Sequence, residues 1–404
     1  MNILVFNCGS SSLTFKLYAL GPGDRLEEIL RGKGSRIGVK GDRPSSIEFR
    51  QAGRVSGGAA RMDNHRQAAA LVLDEIAARR LPVHAIGHRW PHSNGHFTTA
   101  LIDEPLMRLL RELLPIIPIH HPASMRIILE SRRRHPSIPQ YVTTDMAFHA
   151  TLPPEAYRYM LPRGLAEEHG FRKYGFHGLS FRYVTEKVRG ELSPRRGGAR
   201  LVICHLGTGG SEVAAVRDGL SVDVSMGYTG LPGLMMSTRC GDIDPLLPAW
   251  LSRTYDASFE EVSRLLNFQS GLLGVTEATS DIRDVLERCA TEEGYRSRLA
   301  LSMYVRSIRR YVGAFAAELR GVDTLVFTDD IGVKSPRIRS LVCAGMEWCG
   351  IRLDEERNGR ATGEEEAHIE APDSSMDILV VPTDEELVIA REGLGVIGGA
   401  RACG

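Results

Sequence analysis

The sequence predicts an α/β protein of two lobes. Three observations predict it: a strand–turn–strand element occurs twice, helical patterns alternate with strands, and 404 residues are too many for one ordinary core. Residues 3–6, Ile-Leu-Val-Phe, read as a buried strand. Residues 7–12 are a small, polar turn, and 13–19 alternate with the period of two that marks a second strand. The pattern returns near mid-chain, with an apolar strand at 201–204, a glycine-rich turn at 205–211 (HLGTGGS) and a strand beginning at 213–216. Each copy is a hairpin whose turn offers backbone N–H groups and hydroxyls, so two such turns facing each other would cradle a phosphate between two lobes.

The remaining elements follow in order. Apolar periodicity predicts helices over 65–80 and 105–114, and another after the turn at 174–180. Residues 83–86 read as a strand with Arg89 at its end, and 141–145 as one that ends on a carboxylate, Asp145. Arg132, Arg133 and Arg134 follow the apolar-periodic Met125, Ile127, Ile128 and Leu129, which makes them a solvated helix end. Residues 190–199 form a Pro/Gly-rich connector, and 358–377 a polar segment expected to be a surface excursion. A last strand is expected at 378–382, and then a helix over 384–392 whose acidic start suits its dipole.

Composition narrows the function. With 50 basic and 50 acidic residues and a pI near 7.2, the chain is not built chiefly for nucleic acid or an anionic membrane surface. No apolar run is long enough to span a bilayer, and the chain opens directly on a strand, without a cationic stretch leading into a long apolar one. Seven scattered cysteines with no CxxC pair fit a reduced, cytoplasmic protein rather than a disulfide framework or a zinc ribbon.

Two common chemical signatures are absent: there is no GxxxxGK[ST] and no HExxH. His84, His88, His92 and His96 recur every fourth residue, but Gly87, Pro91 and Asn94-Gly95 deny the helix that would align them as metal ligands. Phosphoryl transfer needs cations around the moving group, a carboxylate-held magnesium ion and donors along the phosphate chain. Asn7-Cys8-Gly9-Ser10-Ser11-Ser12 offers amides and hydroxyls, Arg89 and Arg239 offer guanidiniums, and Asp145 offers a carboxylate. Each alone is explained by a tight turn, a surface arginine or a helix cap. Their joint occurrence points to the chemistry.

These segments resemble the acetate kinase family nearly end to end. The blocks are NCGSSSL (7–13), GHR (87–89), D-x-AFHxTLPPEAYRYMLP (145–162), RKYGFHGLSFRYV (172–184), CHLGTG (204–209), SVDVSMGYTGLPGLMMSTRCGDIDP (221–245), SGLLGVTEATSDIRD (270–284), LVFTDDIG (325–332) and VPTDEELVIARE (381–392). The resemblance implies an actin/hexokinase-like fold with duplicated βββαβαβα domains around a cleft. Residues 1–147 with 384–404 would form an N-terminal lobe on the acyl and phosphate side, and 148–383 a C-terminal lobe on the nucleotide side. It implies a cytoplasmic, homodimeric enzyme acting on a small carboxylic acid and a nucleotide with Mg2+, and no nucleic-acid or membrane partner. By family position Asn7, Asp145 and Glu385 would hold magnesium, and Arg89 and Arg239 would bracket the carboxylate and migrating phosphoryl group, with His177 bonding it in flight. His205, Leu206, Gly207, Thr208 and Gly209 would hold the donor's phosphates, joined by Ser10, Ser12, Thr14 and Lys16. Asp281, Ile282 and Arg283 would surround the adenosine with Asp330, Ile331, Gly332, Val333 and Lys334. Pro91, Ile119, Phe176 and Gly230 would line the methyl pocket.

The chain also departs from the pattern. Thr14 stands where the family usually has lysine, and Lys16 lies on the same strand face about 7 Å further along. Thr208 replaces an asparagine. The loop usually written GGIGEN reads Asp329-Asp330-Ile331-Gly332-Val333-Lys334, in which Lys334 could pair with Asp330. Gly230 replaces a proline. The expected reaction is acetate plus ATP to acetyl phosphate plus ADP. The alternatives are propionate or another short acid, a donor such as GTP or pyrophosphate, or a degenerate homologue that binds nucleotide or acyl phosphate with little turnover.

Overall fold

The computed structural model describes residues 1–39, 44–117, 120–193, 199–291 and 294–402, with side chains as far as 398. The chain divides into two compact units, Met1–Ala147 with Asp384–Gly404, and Phe148–Thr383.

The first unit is built on a sheet of eight strands: β1 (Asn2–Cys8), β2 (Ser12–Leu20), β3 (Leu26–Ser35), β4 (Ser46–Gln51), β5 (Arg54–Ala59), β6 (Ala85–Trp90), β7 (Thr99–Leu101) and β8 (Gln140–Thr144). Their order is β5-β4-β3-β2-β1-β6-β8-β7. β1 to β5 form an antiparallel meander, while β6 and β8 run parallel to β1. The alternation in β2 puts Leu13, Phe15 and Leu17 into one apolar core with Leu4, Phe6 and the inner face of helix His65–Ala78. Asn64 caps that helix by accepting the Gln67 N–H at 3.2 Å. Asn7, Thr14 and Lys16 point to the opposite face, where Tyr141 donates its hydroxyl proton to the Ile389 carbonyl of helix Glu385–Ala402 at 2.9 Å. A Cβ at Gly393 of that helix would lie 2.1 Å from the Tyr141 ring, so glycine is required for this approach.

The second unit repeats the plan. Its strands are β9 (Arg200–Leu206), β10 (Ser211–Arg217), β11 (Leu220–Val224), β12 (Thr324–Thr328), β13 (Ala367–His368) and β14 (Asp377–Val380), in the order β11-β10-β9-β12-β14-β13. β9–β10–β11 is an antiparallel meander, and β12 and β14 run parallel to β9. The run β11-β10-β9-β12-β14 therefore matches β3-β2-β1-β6-β8 strand for strand. Both hairpins also close alike, with Gly9 N–H donating to Ser12 O at 2.9 Å and Gly207 N–H to Gly210 O at 3.1 Å. Helix Tyr295–Glu318 buries Tyr304, Ile308, Val312 and Phe315 in a core with Val202, Cys204 and Val213.

Three sequence readings change. The segment 358–377 is no surface excursion: it contains the end of helix Glu355–Arg360 and strand β13, and Asn358 and Ile369 are fully buried. The final helix runs on to Ala402. Strands β3 to β5 were not read from the sequence: glycines interrupt β3 and β5, and the alternation of β4 spans only six residues. At Gly32 a Cβ would come within 2.2 Å of both Phe15 and the Glu48 carbonyl. Of the connector at 190–199, residues 194–198 lie outside the described residues.

Candidate active site

In the first unit the carboxyl ends of the parallel strands gather four of the predicted residues. Asn7 is near the end of β1, Arg89 near the end of β6, Asp145 just past β8, and Glu385 at the start of helix Glu385–Ala402. Arg89 grips Asp145 with two bonds, Nε to Oδ1 at 2.9 Å and Nη2 to Oδ2 at 2.6 Å. Its Nη1 donates to Asn7 Oδ1 at 3.1 Å and lies 3.8 Å from Glu385 Oε2. Asn7 Nδ2 donates to Glu385 and Glu386, each at 2.8 Å. Burial by itself would weaken the protonation of Arg89, but Asp145 and Glu385 outweigh it and hold its pKa above the ordinary guanidinium value. The guanidinium is thus fixed in orientation, with hard oxygen donors around it.

Ser10 is exposed at the hairpin tip, Ser12 and Thr14 are half-buried, and Pro91 is buried directly after β6. Lys16 is engaged elsewhere: Nζ lies 2.8 Å from Asp384, 3.5 Å from Glu28 and 3.8 Å from Glu386. Ile119 lies outside the described residues.

In the second unit the β9–β10 turn is the centre. His205, at the strand end, bonds Ser180 Oγ through Nδ1 at 3.0 Å, and its Nε2 lies 3.1 Å from Asp329 Oδ2. The His177 ring stacks on His205 with centroids 4.2 Å apart. His177 starts helix Gly178–Lys187 with φ 52°, following Gly175 at φ 71°. A left-handed histidine is a strained conformation of the kind that collects at functional sites. A Cβ on Gly210 would meet His177 Nε2 at 3.0 Å and Arg239 Nη1 at 3.5 Å, so these two side chains converge on the turn.

Arg239 differs from Arg89. Its Nη1 bonds only the Gly230 carbonyl, at 3.3 Å, and the Met236 sulfur, at 3.7 Å. Among the described residues no carboxylate lies within 4.0 Å of it. Burial pushes its pKa down, the mark of a cation that lacks a counter-charge. Beside it, Phe176 is held through its N–H by Glu212, at 3.1 Å, and Glu212 also accepts from Met226 N–H at 3.2 Å. At Gly230 the atoms nearest an added Cβ would be Arg239 at 3.5 Å, Met226 at 3.8 Å and Phe176 at 3.9 Å, ordinary contacts that admit one methyl group.

The loop expected to meet the nucleotide forms helix Asp329–Lys334. Asp330 does not pair with Lys334 among the described residues. Its carboxylate accepts the Thr208 N–H and hydroxyl, both at 2.9 Å. Gly207 and Leu206 are buried, and a Cβ on Gly207 would sit 1.9 Å from Asp329 Oδ2. Ile331, Gly332 and Val333 are buried, and Lys334 is exposed. Asp281 caps helix Ile282–Arg288 through the Arg283 N–H at 2.9 Å and pairs with the Arg283 side chain.

Sequence reading missed the residue that fixes this loop. Arg339 is fully buried and donates to the carbonyls of Gly332, Val333, Asn358 and Ala361 and to Asn358 Oδ1, at 2.7–2.9 Å. Desolvation pushes its pKa down to about 10. Carbonyls at the ends of two helices supply negative dipole in place of a carboxylate. No local signal marks such a residue, since an arginine on an amphipathic helix reads as solvated.

Among the described residues no group of three or more His, Cys, Asp or Glu forms a metal cage. Magnesium does not need one, since it usually takes one or two carboxylates, water and substrate phosphate. Asn7, Asp145 and Glu385 offer donors of that kind.

Residues 2–391 match the Acetokinase family. The chain is similar to an acetate kinase of Desulfitobacterium hafniense, 37% identical over 406 residues that cover 98% of this chain and 99% of the relative. Its structure is similar to that of acetate kinase from Entamoeba histolytica, with 35% identity, a TM-score of 0.86 and coverage of 98% and 99% of the two chains. It is also similar to a propionate kinase from Francisella tularensis subsp. tularensis SCHU S4, with 31% identity, a TM-score of 0.86 and coverage of 97% and 98%.

His149 holds this site from behind, and its burial sets a pH dependence. Its nitrogens bond Ser221 Oγ and the Phe176 carbonyl, each at 2.8 Å, and desolvation pushes its pKa down to about 4. The unfolded chain binds a proton near pH 6.5 that the folded unit refuses. The stabilisation from neutral His149 is therefore complete above that value and lost as pH falls towards 4, at up to about 1.4 kcal/mol per pH unit. Urea midpoints at pH 7 and 5 should differ less for His149→Gln than for the native chain. Equal differences would contradict the assignment.

Proposed function

Because this chain belongs to the acetokinase family, we propose that it is an acetate kinase: a cytoplasmic, magnesium-dependent phosphotransferase that interconverts acetate and ATP with acetyl phosphate and ADP. One observation supports the chemistry above the others, the half-buried Arg239 with no carboxylate partner among the described residues, beside His177 and the β9–β10 turn. A carboxylate attacking a phosphoryl group brings two anions together, and an unneutralised guanidinium lowers that barrier without prior loss of a counter-ion. Arg89, held in place by Asp145, is assigned to the same anions. The attacking carboxylate is ionised near neutral pH, so no general base is required and Asp145 is free to organise the metal. Magnesium held by Asn7, Asp145 and Glu385 would offset the donor's phosphate charge. No helix among the described residues is long and apolar enough to cross a membrane.

A homodimer is part of this reading. Leu246, Trp250 and Phe259 of the second unit are 74%, 54% and 79% exposed, an apolar surface suited to burial against a second copy. Sedimentation equilibrium tests it: a single species of monomer mass at micromolar concentration would refute it.

Acyl phosphate trapped as hydroxamate measures the activity. Arg239→Ala and Arg89→Ala are each expected to lower kcat by about a hundredfold or more, as loss of one charge-stabilising group does. Near-normal turnover in either would remove that residue from the site.

The lack of a side chain at Gly230, where a methyl group would fit, favours a second reading, a larger short-chain acid. A pocket discriminates one methylene by only about 1–3 kcal/mol. Propionate should therefore match acetate within about tenfold in kcat/KM. A preference for acetate of about a hundredfold would show that another side chain closes the volume.

Asp330 favours a change at the donor. Its carboxylate occupies the Thr208 N–H, a group otherwise available to a phosphate. A high KM for ATP is expected, with GTP or pyrophosphate tolerated, and Asp330→Gly should lower the KM for ATP. Saturation by micromolar ATP, exclusion of the other donors and no gain in Asp330→Gly would together dismiss this effect. Failure to turn over with any of these donors would point instead to a degenerate homologue that only binds.

A further inference from the structure

We propose that Lys33 binds the polyphosphate of the phosphoryl donor on the sheet face of the first unit. The inference rests on the reading above that the chain transfers a phosphoryl group, and it assigns that site a residue outside the blocks that carry the family resemblance.

The argument begins with register. Directly opposed residues of antiparallel neighbours share a face. Asn7 of β1 stands opposite Thr14 of β2, and Thr14 stands opposite Lys33 of β3. The three side chains form a row across the sheet, and the row starts at Asn7, whose amide bonds Arg89 and Glu385. Two strand spacings put the Lys33 backbone about 10 Å from that of Asn7. An extended lysine reaches back over the short Thr14 side chain for more than half of that distance. In the neighbouring row, towards the turn, Ser12 stands opposite Ser35 and adds hydroxyl donors.

Charge makes the second argument. On this side of the sheet Asp145, Asp384, Glu385 and Glu386 supply four carboxylates, against the cations of Arg89 and Lys16, both of which are ion-paired. Arg31 lies 3.6 Å from Glu28, and Glu48, next in the Lys33 row, pairs with Arg50. A polyanion approaching this face meets a surplus of negative charge. Lys33 is exposed, and among the described residues no carboxylate lies within 4.0 Å of its ammonium group. It is a cation not already committed, in the row that leads to Asn7. A flexible stem with a compact, strongly hydrated charge suits a mobile phosphate better than a rigid bidentate fork does.

The chemistry recognised is the terminal phosphate charge common to a nucleoside triphosphate and inorganic pyrophosphate, and the test uses both. Calorimetry measures the binding of Mg-ATP and Mg-pyrophosphate to the native chain, Lys33→Met and Lys33→Arg, alongside donor and acid KM values. Lys33→Met is expected to weaken binding of the true donor about tenfold, equivalent to about 1.4 kcal/mol, while the KM for the acid stays within about twofold. Lys33→Arg should retain most of the affinity. Thr14→Lys added to Lys33→Met should restore it, since it returns an ammonium group to the same row. Weakening of both donors marks a shared phosphate site, and weakening of one identifies the donor. Unchanged binding of both in Lys33→Met, an equal rise in donor and acid KM, or no rescue by Thr14→Lys would overturn the proposal. Absence of acyl phosphate from the native chain would refute acetate kinase activity, while the binding comparison would still decide the role of Lys33.

Discussion

Parallel strands held in register are the constraint on which the polar cluster of each unit depends. β1, β6 and β8 run together with Phe6 level with His88 and Arg89 level with Thr143, so their carboxyl ends deliver Asn7, Arg89 and Asp145 to one edge. β9 and β12 repeat the arrangement, with Thr328 level with His205, which brings Asp329 and Asp330 beside the β9–β10 turn. Ligands in open α/β sheets bind outside the carboxyl ends of the strands because a hairpin turn or helix start there presents backbone N–H groups. Duplicating the strand order duplicates the place where chemistry can sit. The side chains put there are then free to diverge.

They have diverged in charge. The first unit is rich in carboxylates, and its arginine is saturated by them. The second unit has a half-buried arginine, Arg239, that no described carboxylate neutralises. The first arrangement fixes a cation in orientation among oxygen donors, and the second leaves one without a described counter-charge. Asp329 and Asp330 complicate the second unit, since they direct carboxylates at the turn whose amides suit phosphate. The left-handed backbone of Asp329, at φ 61°, is held against its intrinsic preference by the His205 contact and by the Arg339 clamp behind the loop.

Much of this was legible in the sequence, for reasons that differ by residue. The paired hairpins were readable because central strands are buried on both faces and turn residues are small, and Ile-Leu-Val-Phe and His-Leu-Gly-Thr-Gly-Gly-Ser both satisfy that rule. Arg89 and Asp145 were readable as polar endings to apolar runs. The Thr208–Asp330 bond joins residues 122 positions apart, and no local period reports such a pairing. Arg339 and Asn358 were unreadable because their polarity predicts exposure, whereas a mutual network of bonds permits burial. Lys16 lies on the face that its strand period assigns, and its pairing with Asp384 and Glu386, more than 360 positions away, is reported by no local pattern.

That last contact has a consequence for how the protein is made. The first unit closes only when helix Glu385–Ala402 returns to it, bringing Glu385 to Asn7, Asp384 to Lys16 and the Ile389 carbonyl to Tyr141. Those residues are synthesised only after the whole of Phe148–Thr383. Throughout that interval the nascent sheet keeps one face uncovered, while the second unit, continuous in sequence, has all its own segments in hand. Translation therefore favours completion of the later-made unit first. A ribosome that stalls before residue 384 yields a chain with the second unit whole and the first unit's sheet still open, a form that quality-control machinery would recognise by its exposed apolar face.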